Sequence, residues 1–110
     1  MNEVKELNEN DLKKVVGGTD ESEKIDYVKG LISQIISEIS IIENNLIIQT
    51  VIQEFNFAIT LLNDGSLQSA KDTFKFAFER IASCITPEYD KMYSNVTDIY
   101  YEILYTMNWN

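Results

Sequence analysis

The chain has 110 residues, of which 45% are hydrophobic, and it carries a formal net charge of −9 without a single histidine. This length suits one small domain, and the hydrophobic fraction is typical of a folded protein rather than a disordered one. The nine Lys and Arg residues form no cluster beyond Lys13-Lys14, which argues against binding to nucleic acid or to an anionic membrane.

The residue content also limits the chemistry. Without histidine the chain has no His-based acid–base catalysis, no Cys–His nucleophile and no His ligand for zinc. Cys84 is the single cysteine, so no disulfide can form within the chain, and we expect a buried apolar residue on a helix. Asp98 and Glu102 lie four residues apart on a predicted helix, where solvation explains them better than acid–base work. The sequence predicts no enzymatic activity, cofactor or metal.

Neither a membrane-spanning helix nor a secretory signal peptide is predicted. Glu38, Glu43 and Glu54 interrupt the apolar stretch of residues 31–62, whereas a spanning helix needs about twenty mostly apolar residues. The N-terminal MNEVKELNENDLKKVV lacks the basic start and continuous apolar core of a signal peptide. Export of this chain would therefore need another route.

The first predicted element is a short amphipathic helix over residues 2–16. Its spaced apolar residues fall within an arc of about 140° at about 100° per residue, and they are Val4, Leu7, Leu12 and Val15. A helix this short is marginal alone in water, so we expect it to form only when it docks against another surface. Gly17 and Gly18 end the pattern, and the capping residues Thr19 and Asp20 predict the start of a second helix.

From residue 24 to residue 63 the apolar spacing is strongly helical. The first part alternates steps of three and four, as in a packed helix, through Ile25, Val28, Ile32, Ile35, Ile39, Ile42 and Leu46. Glu43-Asn44-Asn45 bends or ends this helix, and the stripe then continues with a rotated phase to Leu62. The pattern leaves open whether this region is one long helix or two.

Two further stops divide the rest of the chain. Gly65 suits a left-handed C-terminal cap and Ser66 the next N-cap, which predicts a helix from Leu67 to about Ile81. Pro87, capped by Thr86, predicts the first turn of a last helix. Since short connections favour antiparallel neighbours, we predict an all-α fold: a short amphipathic N-terminal helix followed by an antiparallel bundle of three or four helices.

The N-terminal stretch MNEVKELNENDLKKVVGG resembles the double-glycine leader peptides of bacteriocin-type precursors. Such leaders end in Gly-Gly and carry apolar anchors at fixed distances upstream. The family's recognition positions are filled here by Val4, Leu7, Asp11, Leu12 and Val15. The four apolar residues stand fourteen, eleven, six and three residues before Gly18. Asp11 replaces the usual Glu and keeps its charge.

This resemblance implies a processing partner and a destination. Double-glycine leaders are recognised by the cysteine-peptidase domain of a peptidase-containing ABC transporter, which cuts after the second glycine and exports the remainder. Here the cleavage site would comprise Gly17, Gly18 and Thr19, with residues 1–18 as the leader and residues 19–110 as the cargo. The chain would be synthesised in the cytoplasm and its mature part secreted, with no cofactor and no direct lipid anchor.

Other interpretations of the same residues stay open. An amphipathic stretch followed by two glycines and a capping cluster also makes a helix–hinge–helix, and the chain would then be a cytoplasmic protein-interaction or immunity-type module. Residues 58–77 are spaced like a tetratricopeptide hairpin, although core packing explains them better. That spacing is carried by Ala58, Leu61, Gly65, Leu67, Ala70, Phe74 and Ala77.

The activity of the cargo is less defined by its sequence. Residues 1–18 carry a charge of −1 (three Lys against four acidic residues), which leaves −8 for residues 19–110. Such an acidic polypeptide is poorly suited to anionic bacterial membranes. Its tail, with Tyr100, Tyr101, Tyr105 and Trp109, is core, partner surface or both, and an exposed aromatic face would favour self-association or a protein partner.

Overall fold

A computed structural model describes residues 17–110 of the chain, with side chains from residue 21 onwards. These residues form four α-helices: α1 (Gly17–Ile39), α2 (Leu46–Asn63), α3 (Leu67–Ile81) and α4 (Asp90–Met107). Two short 3-10 helices, Ala82–Cys84 and Pro87–Tyr89, connect α3 to α4, and there is no strand in the described range. The predicted all-α class is confirmed, while the helix predicted over residues 2–16 lies outside the described residues.

The beginning of α1 lies beside the ends of both α2 and α4. Lys29 Nζ donates a hydrogen bond to Asn63 Oδ1 at 2.7 Å, which joins α1 to the last residue of α2. On the other side, the Tyr27 hydroxyl donates to Glu102 Oε2 at 3.1 Å near the end of α4. Because residues 40–45 connect the two helices, the contact between Lys29 and the last residue of α2 makes α1 and α2 antiparallel, as in an up-down bundle.

Helix α3 closes the bundle through aromatic rings. The Phe74 ring centroid lies 5.6 Å from that of Phe55 on α2 and 5.3 Å from that of Tyr100 on α4. Phe78 stacks on Tyr100 at 3.7 Å and on Tyr93 at 6.0 Å. Each large ring removes roughly 150–250 Å² from water, so these side chains dominate the burial between α3 and α4.

Small side chains play the corresponding role between α2 and α3, which are the most extensively packed helix pair of the described chain. Ala58, Ala70 and Ala77 are fully buried in this pair, and their short side chains allow the two backbones to approach. The tetratricopeptide-like spacing noted in the sequence therefore corresponds to packing within the bundle core.

Residues 24–63 form two helices, with a break at residues 40–45. Asn44 has a left-handed φ of 56°, which Asn tolerates better than most residues. Asn45 then adopts an extended conformation, and its Oδ1 accepts a hydrogen bond from the amide of Ile48 at 3.0 Å. Such a bond satisfies one of the free N–H groups of a new helix. Helix α1 thus ends at Ile39, before the asparagines, and Asn45 caps α2.

The other predicted stops are confirmed in position and differ in detail. Gly65 has the predicted left-handed φ, at 80°, and Ser66 precedes α3 without a capping bond from its side chain. Pro87 begins a 3-10 helix rather than α4 itself, which starts three residues later at Asp90. A tight first turn of this kind is common at helix N-termini.

The aromatic tail contributes both to the core and to the surface. Asn108 takes a left-handed φ of 58°, and the amide of Trp109 donates to the carbonyl of Leu104 at 2.9 Å. This turn at the end of α4 brings Trp109 back onto Phe74, with 6.0 Å between ring centroids. Tyr100 and Trp109 are buried, whereas Tyr101 and Tyr105 are exposed.

Phe74 and Phe76 provide a matched pair of substitutions on α3. Phe74 is fully buried, whereas Phe76 is 55% exposed. We expect Phe74→Ala to lower the free energy of unfolding by about 3–5 kcal/mol and Phe76→Ala by less than about 1 kcal/mol. Urea unfolding followed by circular dichroism measures both, and equal losses would contradict the assignment of Phe74 to the core.

Gly30→Ala and Gly65→Ala form a second pair of substitutions, and we expect them to change the free energy of unfolding in opposite directions. A Cβ at Gly30 meets nothing within 4 Å, whereas Gly65 has its positive φ. Gly30→Ala should therefore raise the free energy of unfolding by about 0.5–1 kcal/mol, because glycine disfavours a helix interior. Gly65→Ala should lower it by about 1–2 kcal/mol. The same unfolding assay tests both, and a destabilising Gly30→Ala would show that this site is crowded.

The raised pKa of the buried Tyr100 phenol predicts a loss of stability at alkaline pH. Burial, the neighbouring Tyr101 and the charge of Glu79 raise the pKa of its phenol above the ordinary value of 10.0. The native state thus favours the neutral phenol, and this contribution is complete below about pH 10 and disappears as the pH rises through the raised pKa. Unfolding measured from neutral to alkaline pH should show a flatter decline in Tyr100→Phe, whereas Tyr105→Phe, at an exposed position, should follow the wild type.

Candidate functional site

The predicted cleavage residues Gly17, Gly18 and Thr19 form the first turn of α1. Within the described residues α1 is already helical at Gly17, so Thr19 and Asp20 lie inside the helix rather than at its predicted start. The recognition residues implied by the leader resemblance lie outside the described residues: Val4, Leu7, Asp11, Leu12 and Val15.

The helix segment that follows, residues 21–27, lies outside the fully buried core. Among the described side chains the first buried residue is Val28, and residues 21–27 are exposed or only half-buried. Ile25 is the only one of these that packs partly against the core. The predicted junction between Gly18 and Thr19 therefore lies at least two helical turns before the first fully buried side chain.

A surface cavity of about 410 Å³ lies beside this segment, between α1 and the end of α2. It is lined by Glu21, Ser22, Ile25, Asp26, Lys29, Leu62 and Asn63. Lys29 Nζ is already held by Asn63 at 2.7 Å and by Asp26 at 3.3 Å. Three polar groups of the lining, those of Lys29, Asn63 and Asp26, are thus engaged with one another, and the lining contains no nucleophile hydrogen-bonded to a base.

A second surface lies on the other side of α1, where α1 meets α4. It consists of Glu23, Tyr27, Asp98, Tyr101, Glu102 and Tyr105, and we call it the tyrosine–acid surface. Its centre is the hydrogen bond from Tyr27 to Glu102. The same bond to a carboxylate raises the pKa of the Tyr27 phenol above its ordinary value. Both partners are exposed to solvent.

Glu54 and Arg80 form the one ion pair that joins two helices within the described residues. Arg80 Nη1 donates to Glu54 Oε2 at 2.6 Å between α3 and α2. The guanidinium also stands 5.3 Å from the ring centroid of Phe76. Glu54 Oε1 is buried without a hydrogen-bond partner. A pair that is partly exposed in this way adds at most about 1 kcal/mol and mainly orients the two helices.

The described residues contain no group of three His, Cys, Asp or Glu residues placed to hold a metal ion. Cys84 is half-buried in a 3-10 helix, whereas the sequence led us to expect a buried residue on an α-helix. Its thiol donates a weak hydrogen bond to Asn45 Oδ1 at 3.7 Å. Both residues lie in connections between helices, and there the Cys84 thiol has a polar partner instead of an apolar one.

Helix α2 is, within the described range, the one helix long and apolar enough to cross a membrane by length and composition. This is weak evidence, because the core helix of a soluble bundle passes the same test. Five side chains of α2 are buried in the bundle: Ile48, Val51, Phe55, Ala58 and Leu62.

Comparison with known proteins gives no match. No protein-family model matches the chain, and no curated protein and no solved structure matches it either. The function must therefore be inferred from the residues themselves.

Sequence reasoning missed the contact between Tyr27 and Glu102. The helical phase places Tyr27 opposite the stripe of Ile32 and Ile39, so its exposure could be predicted. The pairing of α1 with α4 depends on the order of helices around the bundle, which periodicity does not contain.

Proposed function

We propose that the chain is the precursor of a secreted polypeptide, with residues 1–18 as a double-glycine leader and residues 19–110 as the cargo. A peptidase-containing ABC transporter would cut the bond between Gly18 and Thr19 and export the cargo. The observation that carries the proposal is the stretch MNEVKELNENDLKKVVGG, with its four apolar anchors in register with Gly-Gly.

The position of the core supports this division. Every buried hydrophobic residue of the described chain lies at Val28 or beyond. Cleavage after Gly18 would therefore leave all of these residues on the cargo. It would also leave the first described hydrogen bonds between helices, those of Tyr27 and Lys29, in place.

The two glycines suit the chemistry of cleavage. A peptidase binds its substrate in an extended form, so the first turn of α1 would have to unwind. Each glycine in a helix costs about 1 kcal/mol relative to alanine, so a segment with two adjacent glycines unwinds more easily than its neighbours. Glycine also has no side chain, which lets the backbone approach a narrow cleft.

The apolar anchors suit recognition by a groove. An amphipathic helix that lays one face into an apolar groove is a common mode of peptide binding. Each buried anchor contributes roughly 1.5–3 kcal/mol before the cost of ordering the helix. Micromolar affinity needs about 8 kcal/mol, which four anchors can supply.

The alternative is a cytoplasmic interaction or immunity-type module in which Gly17 and Gly18 form a hinge. The two proposals differ in what a bulky residue at Gly18 does. In a hinge it changes flexibility, whereas in a leader it blocks the cleft.

The test is the intact mass of the full chain after incubation with a peptidase-containing transporter from the same genome and ATP. We expect loss of residues 1–18, with Thr19 as the new N-terminus, and no cleavage of Gly18→Leu. Leu7→Ser and Leu12→Ser should slow cleavage at limiting transporter, because each removes an apolar anchor.

Gly30→Ala is the matched control, since it changes a glycine outside the proposed leader and should be cleaved like the wild type. Cleavage of Gly18→Leu at the wild-type rate, or a wild-type chain that stays intact, would contradict the proposal and favour the hinge.

A further inference from the structure

We propose that the tyrosine–acid surface of α1 and α4 is a docking site for a basic amphipathic helix of a partner protein. The surface lies wholly within residues 19–110, so it is present with or without the leader. Its test is independent of the cleavage experiment.

The exposed aromatic rings are the first argument. Tyr27 is 51% exposed, Tyr101 60% and Tyr105 79%. Tyr101 and Tyr105 are four residues apart and therefore share one face of α4. The bond from Tyr27 to Glu102 ties α1 to that helix. Exposed tyrosines offer a large, rigid contact area at low cost in conformational entropy, as in many protein interfaces.

Charge determines the kind of partner. Glu23 lies four residues before Tyr27 on α1, and Asp98 lies three residues before Tyr101 on α4, so each of these carboxylates is beside a ring. Within residues 21–110, no salt bridge reaches Glu23, Asp98 or Glu102. A partner with Lys or Arg would supply the missing charges.

Few basic residues lie near the tyrosine–acid surface, and two of them pair with other groups. On α1, Lys24 pairs with Glu21 at 3.9 Å, and Lys29 pairs with Asp26 and Asn63 on the side that faces α2. Helix α4 contains a single basic residue, Lys91, about two turns before Asp98. The surface therefore presents carboxylates and aromatic rings together, and both groups attract Lys and Arg side chains.

Gly30 adds an observation that the packing of the bundle does not explain. It lies three residues after Tyr27 on the exposed part of α1, and a Cβ there would meet nothing within 4 Å. The bundle itself has room for a side chain at this point. Without a side chain at Gly30, a partner helix can approach the α1 backbone closely next to Tyr27.

The negative charges of the tyrosine–acid surface disfavour three other occupants, which are a second copy of the chain, nucleic acid and anionic lipid. A second copy would bring the same three carboxylates against each other, and like charges at an interface lower affinity. Nucleic acid and anionic lipid are repelled for the same reason. The net charge of −9 would in turn speed the approach of a basic partner.

The experiment uses two synthetic amphipathic helices as probes, one of Leu and Lys and one of Leu and Glu, added to the ¹⁵N-labelled full chain. We expect the Leu/Lys helix to shift amide signals of residues 23–30 and 98–105, and the Leu/Glu helix to leave them unchanged. Added salt should weaken the binding, since exposed charges are screened.

Two variants locate the site. Tyr105→Ala should weaken binding of the Leu/Lys helix about tenfold, and Glu102→Gln should reduce its salt dependence. Phe57→Ala is the matched control, because Phe57 is a 54% exposed aromatic residue on α2, outside the surface. Far-UV circular dichroism confirms that all three variants are folded.

Three outcomes would overturn the proposal: no binding of the Leu/Lys helix, equal weakening by Phe57→Ala, or shifts spread evenly over the acidic surface of the bundle. Sedimentation of the chain alone supplies a fourth. A dimer that Tyr105→Ala disperses would show that the surface pairs with a second copy.

Discussion

The ring of Phe74 lies where the second, third and fourth helices meet, and the arrangement of the bundle depends on that contact. It touches Phe55 of α2, Tyr100 of α4 and Trp109 beyond the end of α4. On the same helix, Ala70 and Ala77 allow α2 to come close, so α3 packs small residues on one side and large rings on the other. Lys75 Nζ also donates to the carbonyl of Trp109 at 3.4 Å, which holds the returning chain end against α3.

This packing separates the two parts of the molecule to which we assign functions. The described core begins at Val28, so the segment around Gly17 and Gly18 can unwind without exposing any of its buried side chains. The tyrosine–acid surface lies on the outside of α1 and α4, where no helix of the described bundle covers it. A precursor that is cut at one end and binds a partner through a folded surface needs this kind of separation.

The proposed export would add a constraint that a small helical bundle meets easily. A polypeptide that passes a transporter pore must be unfolded or not yet folded. Helical bundles have mostly local contacts and fold quickly, and a chain with one cysteine has no disulfide of its own to form first. Residues 19–110 can therefore fold after passage without a slow covalent step.

Much of the fold could be predicted from local patterns. Helical spacing located the apolar stripes, Gly65 marked the break between α2 and α3, and Pro87 marked the 3-10 turn that leads into α4. The break at Asn44 and Asn45 stayed open because two asparagines can either bend a helix or end it, and the capping bond to Ile48 decides between these. The sequence placed Cys84 in the core, but its weak bond to Asn45 depends on how two connections meet in space.

The leader and the tyrosine–acid surface also differ in how far the sequence alone predicts them. The leader anchors are a linear pattern, so the sequence alone carries that proposal. The tyrosine–acid surface joins residues 75 positions apart, Tyr27 and Glu102, and depends on the order of helices around the bundle. Exposure of Tyr101 and of Tyr105 likewise follows from the face that α4 turns to α3, which the aromatic spacing of the tail did not reveal.

The central claim is that residues 19–110 form a complete folded unit and that residues 1–18 serve recognition alone. Urea unfolding of the full chain and of the 19–110 fragment, followed by circular dichroism at neutral pH, tests it most directly. The account predicts two cooperative transitions whose free energies of unfolding agree within about 0.5 kcal/mol, the range of substitutions that leave the core intact. A fragment that loses its cooperative transition would contradict it, because residues 1–18 would then be part of the fold and Gly17-Gly18 a hinge within it.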